Sequence, residues 1–389
     1  MRVALFTETF LPEINGVATS TASLQKALQM RGHRCVVVTT NPFSNEVTFI
    51  DDVIRIPGIE LKRLYSYRLA YFYNSKAMRI LKDLNLDLVH IQTEASLGIF
   101  GKTVARKLKI PYVYTYHTMY EDYTYYATKG HFDSIAKTII KGWSRLQAEA
   151  ADEFVSPSEK TKDAMREYGV QRYINVVPTG IDLKRFRPEN IDFDRVNELK
   201  KQYKLTESLN LIYLGRIAKE KSIDIVIKGF ASFVKKANRP TKLLIVGKGP
   251  QTLELKELAH TLGIDDHVIF TGPVPPSDVP TYYQLGDIFV SASVSETQGL
   301  TFMEAMAANK LLYCCYDDNL VDVIKDGKTG FFFTNEADFA DKLLKIVEFN
   351  KTKIDEIIAN AYDLADEYSL ERFGEKMENV YKRALRNSW

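Results

Sequence analysis

Short apolar runs alternate along the chain with longer stretches in which apolar residues recur every three or four positions. Runs at Val3–Thr7, Cys35–Thr39, Val53–Ile56, Leu88–Ile91, Tyr112–Tyr116, Glu153–Ser156 and Tyr173–Val177 read as strands. Most are continuously apolar, which marks strands covered on both faces, as in parallel sheets. Helical spacing between them predicts helices at Val17–Arg31, Tyr71–Leu84, Ser96–Leu108 and Ile135–Ala150. Residues 178–206 are polar and charged, with Pro178 and Pro188 and no strong period, and read as a connection. A second series follows, with strands at Leu209–Leu214, Leu243–Val246, Val268–Phe270, Ile288–Ser293, Leu311–Cys315 and Gly330–Phe333. Its helices are predicted at Ser222–Lys236, Thr252–Leu262, Thr301–Asn309, Ala337–Glu348, Lys353–Tyr368 and Leu370–Arg386, with a short one around Tyr282–Leu285. The expected architecture is α/β: two doubly wound, Rossmann-like domains, 1–190 and 191–368, and a terminal helix in 369–389.

The 389 residues suffice for two domains of ordinary size, and 45% hydrophobic with 26% charged residues is a globular balance. Three cysteines, all in apolar runs, form no disulfide framework and suit a reducing compartment. Met1-Arg2 passes directly into a strand without a secretory apolar region, and no run reaches the roughly 18 apolar residues of a membrane span. A cytoplasmic location is expected.

Candidate chemistry gathers at strand exits, where doubly wound sheets bind ligands. Ser295–Glu304 joins a strand to a helix and carries Glu296 and Glu304 on either side of Gly299. The amides of Thr297, Gln298, Gly299 and Leu300 would open a helix N-terminus, a ready anion site. Carboxylates flanking an anion suit a nucleotide-sugar, with sugar, diphosphate and ribose in order. Solvated helix-end charges explain the two glutamates equally well. Arg216 and Lys221 flank another strand exit and could converge on a diphosphate, or belong to a solvated turn. Gly16 opens the first helix without the alternating glycines of a dinucleotide site, so NAD is disfavoured. His117 follows the Tyr112–Tyr116 strand at the binding edge. Asp192-Phe193-Asp194 has metal-pair spacing but lies away from any strand end and reads as solvated charge; no metal site is expected.

Taken together, Glu13-Ile14-Asn15-Gly16, Tyr116-His117-Thr118, Gly215-Arg216 with Lys221, and Glu296 with Glu304 resemble the retaining glycosyltransferases of GT-B fold, family four. The resemblance covers essentially the whole chain. It implies two domains facing a central cleft, with the last helix returning to the first domain. It also implies that Gly16 places an amide by the donor phosphates, and that Arg216 and Lys221 bind the diphosphate. Glu296 would hydrogen-bond sugar hydroxyls, Thr297 to Leu300 would offer amides, Glu304 would hold the ribose, and His117 would lie over the donor sugar. His117, Glu296, Arg216 and Lys221 would thus serve catalysis. With both glutamates so occupied, the implied mechanism is front-face attack assisted by the departing phosphate, with no cofactor and no metal. Asn309–Cys315 departs from the family's Pro and small residues behind the site.

Basic and aromatic residues interleave between Glu60 and Asp83: Lys62, Arg63, Tyr65, Arg68, Lys76 and Arg79 among them. Lys137, Lys141 and Trp143 border a second apolar stripe. Residues 1–180 hold 23 Lys and Arg against 18 Asp and Glu, whereas the whole chain is only +2. Such faces suit an anionic bilayer surface, or are the solvated sides of ordinary core helices. Tyr114–Tyr123 and Ser295–Thr301 resemble the bacterial diacylglycerol α-glucosyltransferases. That resemblance implies UDP-glucose as donor, diacylglycerol as acceptor, and a monotopic enzyme on the cytoplasmic face. The product would be a glycolipid that anchors lipoteichoic acid. UDP-galactose, a soluble sugar or an inositol lipid are alternatives, as is a non-catalytic partner of another glycosyltransferase. Nucleic acid is not an expected partner.

Overall fold

The computed structural model describes residues 1–13, 15–61, 67–117, 133–293, 299–318, 320–321 and 323–387, excepting the side chains of 60–61, 67, 133–137 and 139–140. The chain divides into two compact units, 1–180 with 370–389 and 181–369. The sequence expectation placed the first division later, at 190–191.

The first unit runs β1 (Arg2–Phe6), α1 (Gly16–Met30), β2 (Arg34–Asn41), β3 (Thr48–Ile50), β4 (Val53–Leu61), β5 (Tyr67–Ala70), α2 (Ser75–Asp83), β6 (Leu88–Ile91), α3 (Ser96–Leu108), β7 (Tyr112–Thr115), α4 (Asp133–Ala150), β8 (Glu153–Ser156), α5 (Glu159–Glu167) and β9 (Ile174–Val176). Its sheet has the order β3-β4-β2-β1-β6-β7-β8-β9, with β5 paired to β4. Pairing is parallel except at β3/β4 and β4/β5. From β1 the chain winds outward first through β2 and then through β6, so the order reverses between β1 and β6. Alternate residues of each strand feed opposite faces. Val3, Leu5, Leu88 and Val113 pack with Leu24 and Leu28 of α1. Ala4, Phe6, Val89 and Tyr114 pack with Leu81 of α2, Phe100 of α3 and Ala148 of α4. The helices α2, α3 and α4 therefore form one layer.

The second unit contains α6 (Phe193–Gln202), β10 (Leu209–Leu214), α7 (Ile223–Lys236), β11 (Thr241–Val246), α8 (Thr252–Thr261), β12 (Val268–Gly272), α9 (Val279–Tyr283), β13 (Ile288–Ser291), α10 (Leu300–Ala307), β14 (Leu311–Cys315), β15 (Phe331–Phe333), α11 (Glu336–Val347) and α12 (Lys351–Ala365). The sheet is parallel, β12-β11-β10-β13-β14-β15, and its order reverses between β10 and β13. The last helix, α13 (Leu370–Asn387), packs in the first unit beside α1, where Phe373, Met377 and Tyr381 complete that face of the core. Gly180 lets the chain leave against this helix, because a Cβ there would lie 2.5 Å from the Phe373 Cβ.

Two local expectations need correction, and a third gains a detail. Residues 178–206 are not a bare connection but carry short 3-10 turns and α6. Asp192 is exposed, yet its carboxylate caps that helix, accepting from the Asp194 and Arg195 amides at 3.0 and 3.1 Å. The helix expected from Tyr71 starts at Ser75, because the Asn74 side chain accepts the Ala77 amide at 2.9 Å and sets the first turn.

Candidate functional site

In the first unit, polar groups crowd the exits of β1, β6 and β7. The Asn15 side chain caps α1 by accepting the Ala18 amide at 2.9 Å. Gly16 is the first helical residue, and a Cβ there would meet nothing within 4 Å, so a ligand has room to approach the backbone. Glu8, buried after β1, accepts from the Leu97 amide at 2.6 Å, from Ser96 Oγ at 3.2 Å and from the Thr93 hydroxyl. It thereby ties the β1 exit to the start of α3; burial raises its pKa despite those donors.

His117 lies two residues beyond β7, with Nε2 2.6 Å from Gln92 Oε1 at the β6 exit. Part of the residue is open to solvent, yet its ring is enclosed enough that burial pulls its pKa down to about 4, and the imidazole is neutral at physiological pH. His90, on β6 two residues before Gln92, uses both ring nitrogens: Nδ1 is 2.7 Å from the Tyr381 hydroxyl of α13 and Nε2 is 2.7 Å from Thr115 Oγ1.

In the second unit, the exits of β10 and β11 are laced together. The Gly215 amide donates to the Val246 carbonyl at 3.0 Å, and the Ile217 amide to the Lys248 carbonyl at 3.1 Å. A Cβ on Gly249 would lie 1.9 Å from the Ile217 carbonyl oxygen, so only glycine permits this approach. Arg216 is exposed on the turn so formed. Lys221 extends across the reversal point, its ammonium donating to Ser293 Oγ at 3.5 Å beyond β13. Gly299, at φ 64°, leads into α10, whose first turn no described side chain caps. Two cations and a helix N-terminus thus share one sheet edge and can take up a multiply charged anion.

Glu304 sits within α10, where Tyr283 Oη of α9 donates to its Oε2 at 2.9 Å. Tyr283 is buried between Phe186 and Phe289. Glu304 keeps some exposed surface, but burial raises its carboxyl to about 7, opposed by the Tyr283 hydrogen bond and the Arg185 charge. A carboxyl so held is no solvated helix-end charge; it is placed to accept hydroxyl protons.

The structure brings Gly16 and His117 to one sheet edge, and Arg216, Lys221, Gly299, Leu300 and Glu304 to the other unit's. Glu296, Thr297 and Gln298 lie outside the described residues, as do Lys62, Arg63 and Tyr65. Lys76 and Arg79 are exposed on α2, beside Tyr71 and Phe72, which are 59% and 61% exposed. Trp143 and Leu146 are exposed on α4 of the same layer. Arg68 is half-buried on β5, and the Lys141 ammonium is half-buried 5.1 Å over the Tyr168 ring, so these two are less available than the sequence suggested. Lys137 lies on α4, in the part whose side chains are not described. Sequence reasoning missed Gln92 and Tyr283. Gln92 follows His90 at a strand exit, a signal that could have found it; Tyr283 offers none.

Residues 14–185 match the family described as Glycosyltransferase Family 4, and residues 195–364 match Glycosyl transferases group 1. The chain is 36% identical over 394 aligned positions to an alpha-monoglucosyldiacylglycerol synthase of Streptococcus pneumoniae, covering 99% of this chain and 86% of that one. It is 33% identical over 387 positions to the enzyme of the same name from Acholeplasma laidlawii, covering 98% and 96%. Among solved structures, Anabaena HepE in complex with UDP-glucose superposes with a TM-score of 0.71 at 17% identity, covering 98% of this chain and 99% of that one. The glycosyltransferase WaaG, involved in lipopolysaccharide biosynthesis, gives 0.67 at 17% identity, covering 97% and 99%.

Proposed function

We propose, for a chain that belongs to the family-four glycosyltransferases of GT-B fold, that it transfers glucose from UDP-glucose to the 3-hydroxyl of 1,2-diacylglycerol with retention of the α configuration. The observation that carries this reading is the identity, over nearly the full chain, to two enzymes named alpha-monoglucosyldiacylglycerol synthase. The site chemistry agrees with it. Arg216 and Lys221 hold the diphosphate and stabilise the charge that grows on it as the glycosidic bond breaks. Glu304 accepts from the ribose hydroxyls, and Glu296 from those of the sugar. A double displacement wants a carboxylate nucleophile about 5 Å across the scissile bond from an acid. With both glutamates otherwise engaged, the acceptor hydroxyl attacks from the leaving-group face and passes its proton to the departing phosphate oxygen. The reaction so drawn calls for no metal.

The acceptor is a membrane lipid, and the layer of α2, α3 and α4 supplies a docking face. Lys76, Arg79 and Lys82 project from α2 beside exposed Tyr71 and Phe72, and Trp143 and Leu146 project from α4. No described helix is long and apolar enough to cross a membrane. Attachment at the cytoplasmic face by basic and aromatic contacts is the reading this face supports.

Radiolabelled UDP-glucose, incubated with vesicles of diacylglycerol and an anionic lipid, tests the proposal. Label should enter the organic phase as a lipid bearing one α-linked glucose, and vesicle binding should weaken as salt rises. Label that stays in water while UDP-glucose still binds would overturn the acceptor. Transfer from UDP-galactose in preference would overturn the donor.

A further inference from the structure

We propose that Gln92 is a positioning residue for His117: its side-chain carbonyl holds the imidazole as the Nε2–H tautomer with Nδ1 unprotonated, and one buried water completes its amide end. The inference rests on the reading that His117 lies over the donor sugar. Gln92 is 2% exposed, and its Oε1 is 2.6 Å from His117 Nε2. With Oε1 accepting, the ring proton must sit on Nε2, which leaves the Nδ1 lone pair to receive a sugar hydroxyl. Gln92 Nε2 is buried and has no hydrogen-bond partner among the described residues. A buried donor left unmade keeps its full desolvation penalty, so a water that accepts from it is favoured. Beside it lies a cavity of about 10 Å³ whose lining includes Gln92, His117, Ser20, Thr115 and Thr179. That volume is the minimum for one water, and the hydroxyls around it can accept from that water in turn.

The residue type matters as much as the contact. Positive charge develops at the sugar's anomeric carbon as the bond to phosphate breaks, and an imidazolium above it would oppose that charge. Gln92 orients the ring without stabilising its cation; a glutamate in the same place would pair with the imidazolium and favour it. Among the described residues, the titratable groups on the surrounding elements do not do so. His90 on β6 is neutral, its pKa held well below the usual value by burial and by the neighbouring His117. Tyr381 on α13 has its pKa driven well up by burial. Glu94 is held by the Tyr114 hydroxyl, and Glu8 by Thr93, Ser96 and the Leu97 amide.

Selective ¹⁵N-histidine labelling of the full chain gives six ring systems to resolve, with His117→Asn assigning the one of interest. The wild type should show a pyrrole-like Nε2 and a pyridine-like Nδ1 at His117. Gln92→Glu, nearly isosteric, should move its titration upward. Its kcat should fall on the acid side of the new ionisation, with KM for UDP-glucose changed by no more than about threefold. Gln92→Ala should mix the tautomers and lower kcat about 10–100-fold. A wild-type Nδ1–H tautomer, or a Gln92→Glu protein whose His117 titrates unchanged, would overturn the proposal. The tautomer is read without turnover, so the measurement stands even if the glucosyl-transfer reading fails.

Discussion

With Glu304 at the ribose as proposed, one buried carboxyl would make ligand binding depend on pH. Its pKa, raised to about 7 by burial, leaves the free protein partly protonated near neutrality. A ribose whose two hydroxyls both donate to the group needs the carboxylate, so uptake of UDP releases a proton from the protonated fraction. Affinity for UDP is therefore expected to be full above pH 8 and to fall as pH drops through 7, approaching tenfold per unit. Calorimetric titration across that range checks the sign; Glu304→Gln should flatten the profile. Tyr283→Phe removes a hydrogen bond that lowers the carboxyl's pKa, so the fall should begin at higher pH. Because Tyr283 would act through Glu304, its loss should weaken UDP while sparing 2′,3′-dideoxy-UDP, which offers no ribose hydroxyl. Equal weakening of both nucleotides would mean that Tyr283 only supports the fold.

Where a strand ends against its neighbour decides what its exit loop can present. The β10 and β11 exits approach so closely that Gly249→Ala would set a Cβ 1.9 Å from a backbone oxygen, which nothing nearby can yield to cheaply. That variant should cost about 2–3 kcal/mol and lower the second unit's melting transition, with loss of UDP binding. Gly16→Ala meets open space and should leave melting unchanged while raising KM for UDP-glucose, which separates a packing glycine from a ligand-facing one. The same contrast explains what could be read in the chain. Leu88–Ile91, Glu153–Ser156, Leu209–Leu214 and Leu311–Cys315 appear in the structure with the bounds their apolar runs predict, because burial on both sides leaves an unmixed signal. Helices α5 and α6 bury only Thr161 and Met165, and Val196 and Leu199, so their sequences look like polar connections. Strands β3 and β5, three and four residues long, are too short for alternation to register. Arg216, Lys221 and Glu304 were legible as residue types at strand exits. Their partners were not, because the pairing of Tyr283 with a carboxyl 21 residues away is set by how α9 and α10 pack.

Helix α13 packs against α1 and completes one face of the first unit's core, so that core is finished only when this helix is in place. Apolar contacts of Phe373, Met377, Val380 and Tyr381 supply most of that attachment, at about 1.5–3 kcal/mol for each large side chain buried. Its polar counterpart centres on Glu378. Oε2 is 2.5 Å from Arg31 Nε and 3.5 Å from His33 Nε2, and Oε1 is 2.5 Å from Lys382 Nζ. The hydrogen bonds from Lys382 and Arg31 hold the carboxyl down at about 2. An acid whose folded pKa lies below its unfolded value stabilises the fold above the unfolded value, near 4.5, and loses that contribution as pH falls toward 2. Both cations are substantially exposed, so the cluster is worth about 1–3 kcal/mol rather than what a buried pair would give. Glu378→Gln should therefore lower the first unit's melting temperature at pH 7 and converge on the wild type as the pH is taken from 4.5 toward 2. Added salt should narrow the gap at pH 7, because the partners face solvent. If the two proteins instead differ as much at pH 3 as at pH 7, the ion cluster is not what pins α13, and apolar contacts alone bring the chain end back to α1.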